Sequence, residues 1–292
     1  MKRDYCIGSQ WLYYKIYTGV KTANLVLEKL MPLIAQLKTE NKITKWFFIR
    51  YRDPEEHLRL RFYNENKSDL LAVITALYPV LEEMLAQNSI WKIQTDTYQP
   101  EIERYGETTM ALSETLFCYD SERTVAYINH SHHYQDNHFP LLFSFRAIDS
   151  FLDLFAYTHT QKYQLFNVLQ KSFKEEFEAT ATLKKEMDKQ YRALYPEIAI
   201  FLAKTPLESD PEIDNIINHC QKESQETALA VQKTIKISLD DFLMSHIHMM
   251  INRQYTSRQR RYECLIYDHL HRYYKSKQYQ LGDSSEKNQA TI

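Results

Sequence analysis

The chain has 292 residues, 44% hydrophobic and 25% charged, with a formal net charge of −2 and four glycines. That balance suits a globular protein, and its near-neutral charge leaves no global footprint for nucleic acid or an anionic membrane surface. So few glycines leave no dinucleotide-type or P-loop-type phosphate cradle in the sequence.

The start, MKRDYCIGSQ, is polar and lacks the apolar run of a secretory signal. Cys6, Cys118, Cys220 and Cys264 are scattered, without a CxxC pair. Reduced thiols in a cytoplasm are therefore the expectation. The apolar stretch LLAVITALYPVL is too short to cross a bilayer and reads as a buried helix.

In chain order, Trp11 to Tyr17 is an aromatic, strand-forming run that Gly19 ends. Lys21 to Thr39 places Leu25, Leu27, Leu30, Leu33, Ile34 and Leu37 at helical spacing. Lys45 to Tyr51 is a second strand, and Asp53-Pro54 marks a turn. His57 to Tyr63 alternates strictly and is a third strand. Ser68 is the expected N-cap of a helix through Leu85, and Ile90 to Tyr98 is a fourth strand. This order is the split βαβ, ferredoxin-like arrangement.

Beyond Gly106 the pattern becomes helical. Thr108 to Phe117 is one predicted helix, and Asp120-Ser121 caps another through Ile128. Long helical patterns fill Leu141 to Leu202. A loop at TPLESDP follows, then helices near Glu212 to Thr234 and Leu239 to Lys275. A polar tail from Ser276 is expected to fray. The fold class is α+β: a sheet unit over residues 1–106, a mainly helical part over 107–275 and a disordered tail over 276–292. Residues 1–275 are expected to act as one domain.

Alternation on the third strand sends His57, Arg59 and Arg61 to one face and Leu58, Leu60 and Phe62 to the other. Three cationic or proton-carrying groups then line about 14 Å of strand, at ~3.4 Å per residue. In a split βαβ sheet this strand is central, and the face away from the two helices is expected to be open. Such a row is either the solvated face of a half-buried strand or an anion site, since guanidinium groups grip carboxylates bidentately. Arg50 and Arg52 on the preceding strand extend it, while Asp53, Glu55 and Glu56 can pair with these arginines at the surface.

Pro100 takes the chain out of the sheet in YQPEIERYG. That exit clusters Glu101, Glu103, Arg104 and Tyr105, as a binding connection or as a local ion-pair group. In SHIHMMINR, His248 and Asn252 share a helix face, and Met249 and Arg253 form the next stripe. The histidines of HSHHYQDNH (130–138) lack a ligand spacing and read as a polar loop. No zinc signature occurs, and no metal or cofactor is expected.

The segments WLYYKIYTG, WFFIRYRDPEEHLRLRF, YQPEIERYG and SHIHMMINR stand in one order along nearly the whole chain. Together they resemble the C-terminal elimination domain of lantibiotic dehydratases, also called the thiopeptide-type bacteriocin biosynthesis domain. The resemblance implies a lyase that removes glutamate from glutamylated Ser or Thr of a ribosomally made precursor peptide, leaving dehydroalanine or dehydrobutyrine. It implies that Arg59, Arg61, Arg104 and His248 are catalytic. Arg50, Arg52, His57, Glu101, Tyr105, Asn252 and Arg253 are the accompanying substrate-binding expectations. The chain is too short to hold a glutamylation domain as well, so a large partner supplied in trans is expected, with no direct use of tRNA. A second copy of the chain is a further partner to be considered. One departure is Glu107, which follows Gly106 where the family usually has a second glycine. Two alternatives stay open: a thiopeptide pyridine synthase, which joins two dehydroalanines, and a non-catalytic peptide-binding subunit.

Overall fold

Four strand-forming runs interleaved with two helical patterns produce a four-stranded antiparallel sheet followed by helices, an α+β fold. The structure, a computed structural model, describes residues 2–134, 138–178, 180–203, 205–208 and 210–289, with side chains through 278. The chain forms two units. The first comprises Met1–Tyr134, His219–Ser245 and Asn252–Ser257; the second comprises Gln135–Asn218, His246–Ile251 and Arg258–Ile292.

The first unit opens with β1 (Trp11–Thr18), α1 (Ala23–Thr39), β2 (Lys45–Arg52), β3 (Glu56–Tyr63), α2 (Leu70–Ala86) and β4 (Ile90–Thr95). The sheet order is β2-β3-β1-β4, so β3 is central, as the split βαβ reading requires. Leu58, Leu60 and Phe62 of β3 are at most 1% exposed. Arg50 pairs in register with Leu58, and its Nη2 donates to Asn24 Oδ1 of α1 at 2.6 Å. The apolar face is therefore the helix side. The helix expected to start at Ser68 begins instead with a 3-10 turn, Lys67–Asp69, and neither its first residue nor that of α2 is capped by a side chain. Asp69 is occupied by Lys42 at 2.9 Å.

After β4 the chain folds back through an isolated bridge, Tyr5 to Tyr98. It makes the short α3 (Ile102–Tyr105) and turns at Gly106 into α4 (Met110–Ser131). Gly106 has φ +79°, and a Cβ there would lie 2.8 Å from Thr109 Oγ1, so a side chain would meet both strain and a clash. α4 runs unbroken through Asp120 and Ser121, where a cap is expected. Both side chains act across the fold instead: Ser121 Oγ accepts from Phe48 N–H at 3.2 Å, and Asp120 accepts from Arg253 at 2.8 Å. They serve the edge strand β2, whose unpaired backbone groups need partners.

The second unit holds α5 (Phe139–Leu154), α6 (His159–Glu176), α7 (Ala181–Phe201) and α8 (Pro211–Ile217). α9 (Gln221–Thr234) belongs to the first unit, and α10 (Leu239–Gln254) contributes residues to both. α11 (Gln259–Gln289) belongs to the second. Two expected single helices are each divided, at Cys220 (φ 53°) and ahead of α11 at Arg258 (φ 55°), both left-handed residues. α11 also continues past Ser276, where fraying is expected. Thr158 caps α6 in a capping box with Gln161. Lys162, fully buried, is neutralised by Asp149 and Asp153. Of the histidine-rich stretch, His130 ends in α4, and residues 135–137 lie outside the described residues. Among the described residues, no helix is long and apolar enough to cross a membrane.

Candidate functional site

The pleat sets His57, Arg59 and Arg61 opposite Tyr17, Lys15 and Tyr13 of β1 and opposite Tyr51, Ile49 and Phe47 of β2. The fold alone suggests an open face, but this one is covered. The segment after β4 lays Tyr98 over Trp11, with ring centroids 4.8 Å apart, and α4 sets Phe117 against Phe47 at 5.3 Å. Aromatic cover makes the face a lined recess.

Arg61 sits inside that cover, 7% exposed. Its guanidinium carbon lies 4.4 Å from the Tyr13 ring centroid and 5.2 Å from those of Phe47 and Tyr98. Rings satisfy a cation's charge in part but accept no strong hydrogen bond, and Arg61 Nε and Nη1 have no partner. Burial pushes this guanidinium below its ordinary value, while Tyr13, Tyr98 and Glu101 favour its charge and Arg59 opposes it. A buried cation with unmet donors is costly unless something anionic completes it.

Arg59, beside it, stacks on Tyr51 at 3.4 Å. Its Nε donates to His57 Nε2 at 3.1 Å, and its Nη groups have no hydrogen-bond acceptor among the described residues. His57 Nδ1 lies 2.8 Å from the Glu55 carbonyl and its ring stacks on Tyr17. Burial, with Arg59 and Lys15 nearby, lowers its pKa. A neutral ring donating from Nδ1 and accepting at Nε2 fits both contacts. Tyr98 hydroxyl donates to Glu114 at 2.7 Å, and burial pushes the Glu114 carboxyl up to about 7.

Arg104 is 41% exposed; its Nη1 pairs with Glu101 at 3.2 Å and its Nε donates to Ser245 Oγ at 3.2 Å. Glu101 also acts on Arg61, so the recess and the α3 cluster share one acidic neighbour. Tyr105 is buried, within 3.4 Å of the Ser245 carbonyl, and burial holds its phenol well above the ordinary value.

Four of the expected substrate-binding residues lie outside the recess. Arg50 faces the helix side, where Nε donates to the Arg253 carbonyl at 2.8 Å. Asn252 clasps the Arg50 backbone, accepting from its N–H at 3.0 Å and donating to its carbonyl at 2.9 Å. Arg253, 1% exposed, donates to the Phe48 carbonyl at 2.9 Å. Together with Ser121 these groups satisfy the edge of β2. Arg52 is exposed at the hairpin, 3.6 Å from Glu56.

In the second unit, His248 Nδ1 lies 2.5 Å from Glu263 Oε1. Nothing local in the sequence marks Glu263, a carboxylate on another helix, as the partner of His248. The same unit holds a cavity of about 280 Å³ lined by Asp149, His159, Leu202, Tyr273, Tyr274 and Lys277, none of them an expected site residue.

Among the described residues, one group offers metal-type donors: Glu122, His219 and Cys220, with donor atoms within 4.8 Å of one another. Glu122 is already taken by Lys38, by Trp46 Nε1 at 3.2 Å and by His219 Nε2 at 3.1 Å. Burial raises its pKa, but His219 and Lys38 outweigh that and hold it at about 2. The cluster is an internally neutralised carboxylate.

Comparison with known proteins bears on this arrangement. A family model described as lantibiotic biosynthesis dehydratase C-term matches residues 11–274. The nisin biosynthesis protein NisB of Lactococcus lactis subsp. lactis is 33% identical over 122 residues, 41% of this chain and 12% of that protein. The subtilin biosynthesis protein SpaB of Bacillus subtilis is 32% identical over 114 residues, 38% and 11%. The alignments thus span about an eighth or less of these relatives' length. Among solved structures, the tRNA-dependent lantibiotic dehydratase MibB from Microbispora sp. 107891 superposes with TM-score 0.72 and 18% identity, over 94% of this chain and 29% of that one. TbtD, the pyridine synthase from thiomuracin biosynthesis, gives TM-score 0.62 and 12% identity over 91% and 99%. At these identities the structural likenesses concern the fold, and the family match runs from β1 into α11. The chain belongs to the family of lantibiotic dehydratase C-terminal domains.

Proposed function

We propose that this chain removes glutamate from glutamylated Ser or Thr residues of a ribosomally made precursor peptide, leaving dehydroalanine or dehydrobutyrine. The observation that carries the reading is Arg61, a buried cation on the central strand with two unmet donor nitrogens. In the reaction the Cα proton is removed, the Cβ–O bond breaks and glutamate departs as a carboxylate. Negative charge appears on the departing oxygen, where fixed donors in a dry site lower a barrier most. Arg61 and Arg59 hold the leaving carboxylate, Arg104 orients the glutamyl group, and His248 transfers the proton. His57 and Glu101 shape the recess. The chemistry asks for no cofactor or metal. A large glutamylating partner acting in trans, in the cytoplasm, is the proposed source of the ester, and this chain itself needs no tRNA.

A second reading is cyclisation of two dehydroalanines. It is favoured by the likeness to TbtD, which covers 99% of that chain. Such an enzyme has no leaving carboxylate to bind, so unmet buried arginine donors favour elimination. Mass spectrometry of a synthetic O-glutamylseryl precursor peptide with the protein alone tests the proposal. Loss of glutamate, weakened in Arg104→Ala and His248→Ala, is expected. An unchanged ester with folded protein contradicts it, and conversion of a bis-dehydroalanine peptide to a ring would establish the second reading.

A further inference from the structure

The second unit carries a carboxylate that the elimination chemistry above has not used. Glu263 of α11 is 1% exposed, and a buried carboxylate is retained only when its oxygens are met by donors. Here they are. Oε1 meets His248 Nδ1 at 2.5 Å and Tyr267 hydroxyl at 3.3 Å. Oε2 meets Arg260 Nη1 at 2.8 Å. Arg260 is in turn anchored by Glu176 and lies 4.1 Å over the Phe173 ring. The carboxylate is fixed in place before any substrate arrives.

Its effect falls on one atom. A carboxylate facing Nδ1 keeps the proton there, so a neutral His248 carries its lone pair on Nε2. Nε2 has no hydrogen-bond partner among the described residues, and the side chain is 31% exposed. We propose that Glu263 is a positioning residue for proton transfer, setting the tautomer and ring orientation of His248. This rests on the assignment of proton transfer to His248 above. Nε2 takes the Cα proton, the Cα–H electrons form the Cα=Cβ bond, and the Cβ–O electrons leave with glutamate. As His248 becomes imidazolium, Glu263 stabilises it without accepting the proton, which is the division of labour in a nucleophile-free half of an acid–base–carboxylate triad.

The test uses the full chain and the O-glutamylseryl peptide with Glu263→Gln, Glu263→Asp and His248→Ala. In Glu263→Gln the amide oxygen stays with Arg260, its NH2 faces Nδ1, and the ring proton moves to Nε2. The expected result is a fall in kcat of about 10²-fold or more with KM unchanged, partly restored in Glu263→Asp. Nitrogen-15 NMR of histidine-labelled protein provides a readout independent of turnover. Wild type should show His248 as the Nδ1–H tautomer, and Glu263→Gln should not. An Nε2–H tautomer in wild type overturns the proposal, whether or not the variants fold. Wild-type kcat in Glu263→Gln beside an inactive His248→Ala also overturns it, leaving the elimination reading intact. Full activity in His248→Ala overturns the assignment on which it rests.

Discussion

Two buried arginines sit on neighbouring strands of one sheet and face opposite ways. Arg50 of β2 points to the helix side, where the Arg253 carbonyl and Asn24 take two of its three nitrogens. Arg61 of β3 points to the other side, where three aromatic rings surround it and no acceptor meets Nε or Nη1. Both are at most 7% exposed, so burial does not tell them apart. The partners do. Arg50 meets a backbone carbonyl and an amide oxygen and keeps one unmet nitrogen, Nη1, whereas Arg61 is fenced by rings with both Nε and Nη1 unmet, which on the proposed reading leaves them for a ligand.

Removing the charge on each side sharpens the contrast. The largest effect is expected from Arg61→Met, which keeps length and loses the donors. Elimination should fall by about 10²–10³-fold, while the melting temperature holds or rises, because an uncompensated buried cation has gone. A clear fall in melting temperature would mean that Arg61 is a structural residue like Arg50. Next is Arg253→Met on the edge of β2. It leaves the Phe48 carbonyl unmet and strips one cation from Asp120, which keeps Arg123. A loss of about 3 kcal/mol is expected in urea unfolding; a change within experimental error would remove Arg253 from the structural set.

A pH effect of similar or smaller size comes from Glu114, beneath Tyr98. Burial holds its folded pKa at about 7 against an ordinary 4.5. The folded state therefore binds more proton than the unfolded chain between these values. The resulting stabilisation is complete below pH 4.5 and is lost as pH rises through 7. At about 1.4 kcal/mol per pKa unit, wild type should lose on the order of 3 kcal/mol relative to Glu114→Gln between pH 4.5 and 8. Parallel stability curves for the two proteins would show that Glu114 is ionised throughout. The smallest effect belongs to Arg52→Ala. Arg52 is exposed and its pairing with Glu56 is long, so stability should move by less than about 0.5 kcal/mol and turnover not at all. A marked rise in KM would return Arg52 to the substrate-binding set.

Period-two alternation in HLRLRF put His57, Arg59 and Arg61 on one face, and the order of elements put β3 at the centre. Both are local signals, and both stand. What failed to show was non-local. Arg50 looks like a member of the same basic row until the register of β2 against β3 sets it opposite Leu58. Asp120 and Ser121 have the composition of a helix cap, but their partners are Arg253 and Phe48, more than seventy positions away in sequence. Asn252 and Arg253 sit in a motif that suggests chemistry, yet they complete the hydrogen bonds of an edge strand. The aromatic cover over Arg61 has no local signal either, because Tyr98 reaches it only after the chain doubles back to pair with Tyr5.

The most direct test of the contrast between the two faces is a side-by-side assay of Arg61→Met and Arg50→Met on a glutamylated peptide. It should be run at a temperature where unfolding curves show both proteins folded, with dehydroamino acid product counted by mass spectrometry. Arg50→Met should be less stable yet turn over like wild type per folded molecule, and Arg61→Met should be stable and release little or no glutamate. Arg61→Met turning over like wild type, or wild type leaving the ester intact, would contradict the assignment of the aromatic-lined recess as the glutamate site.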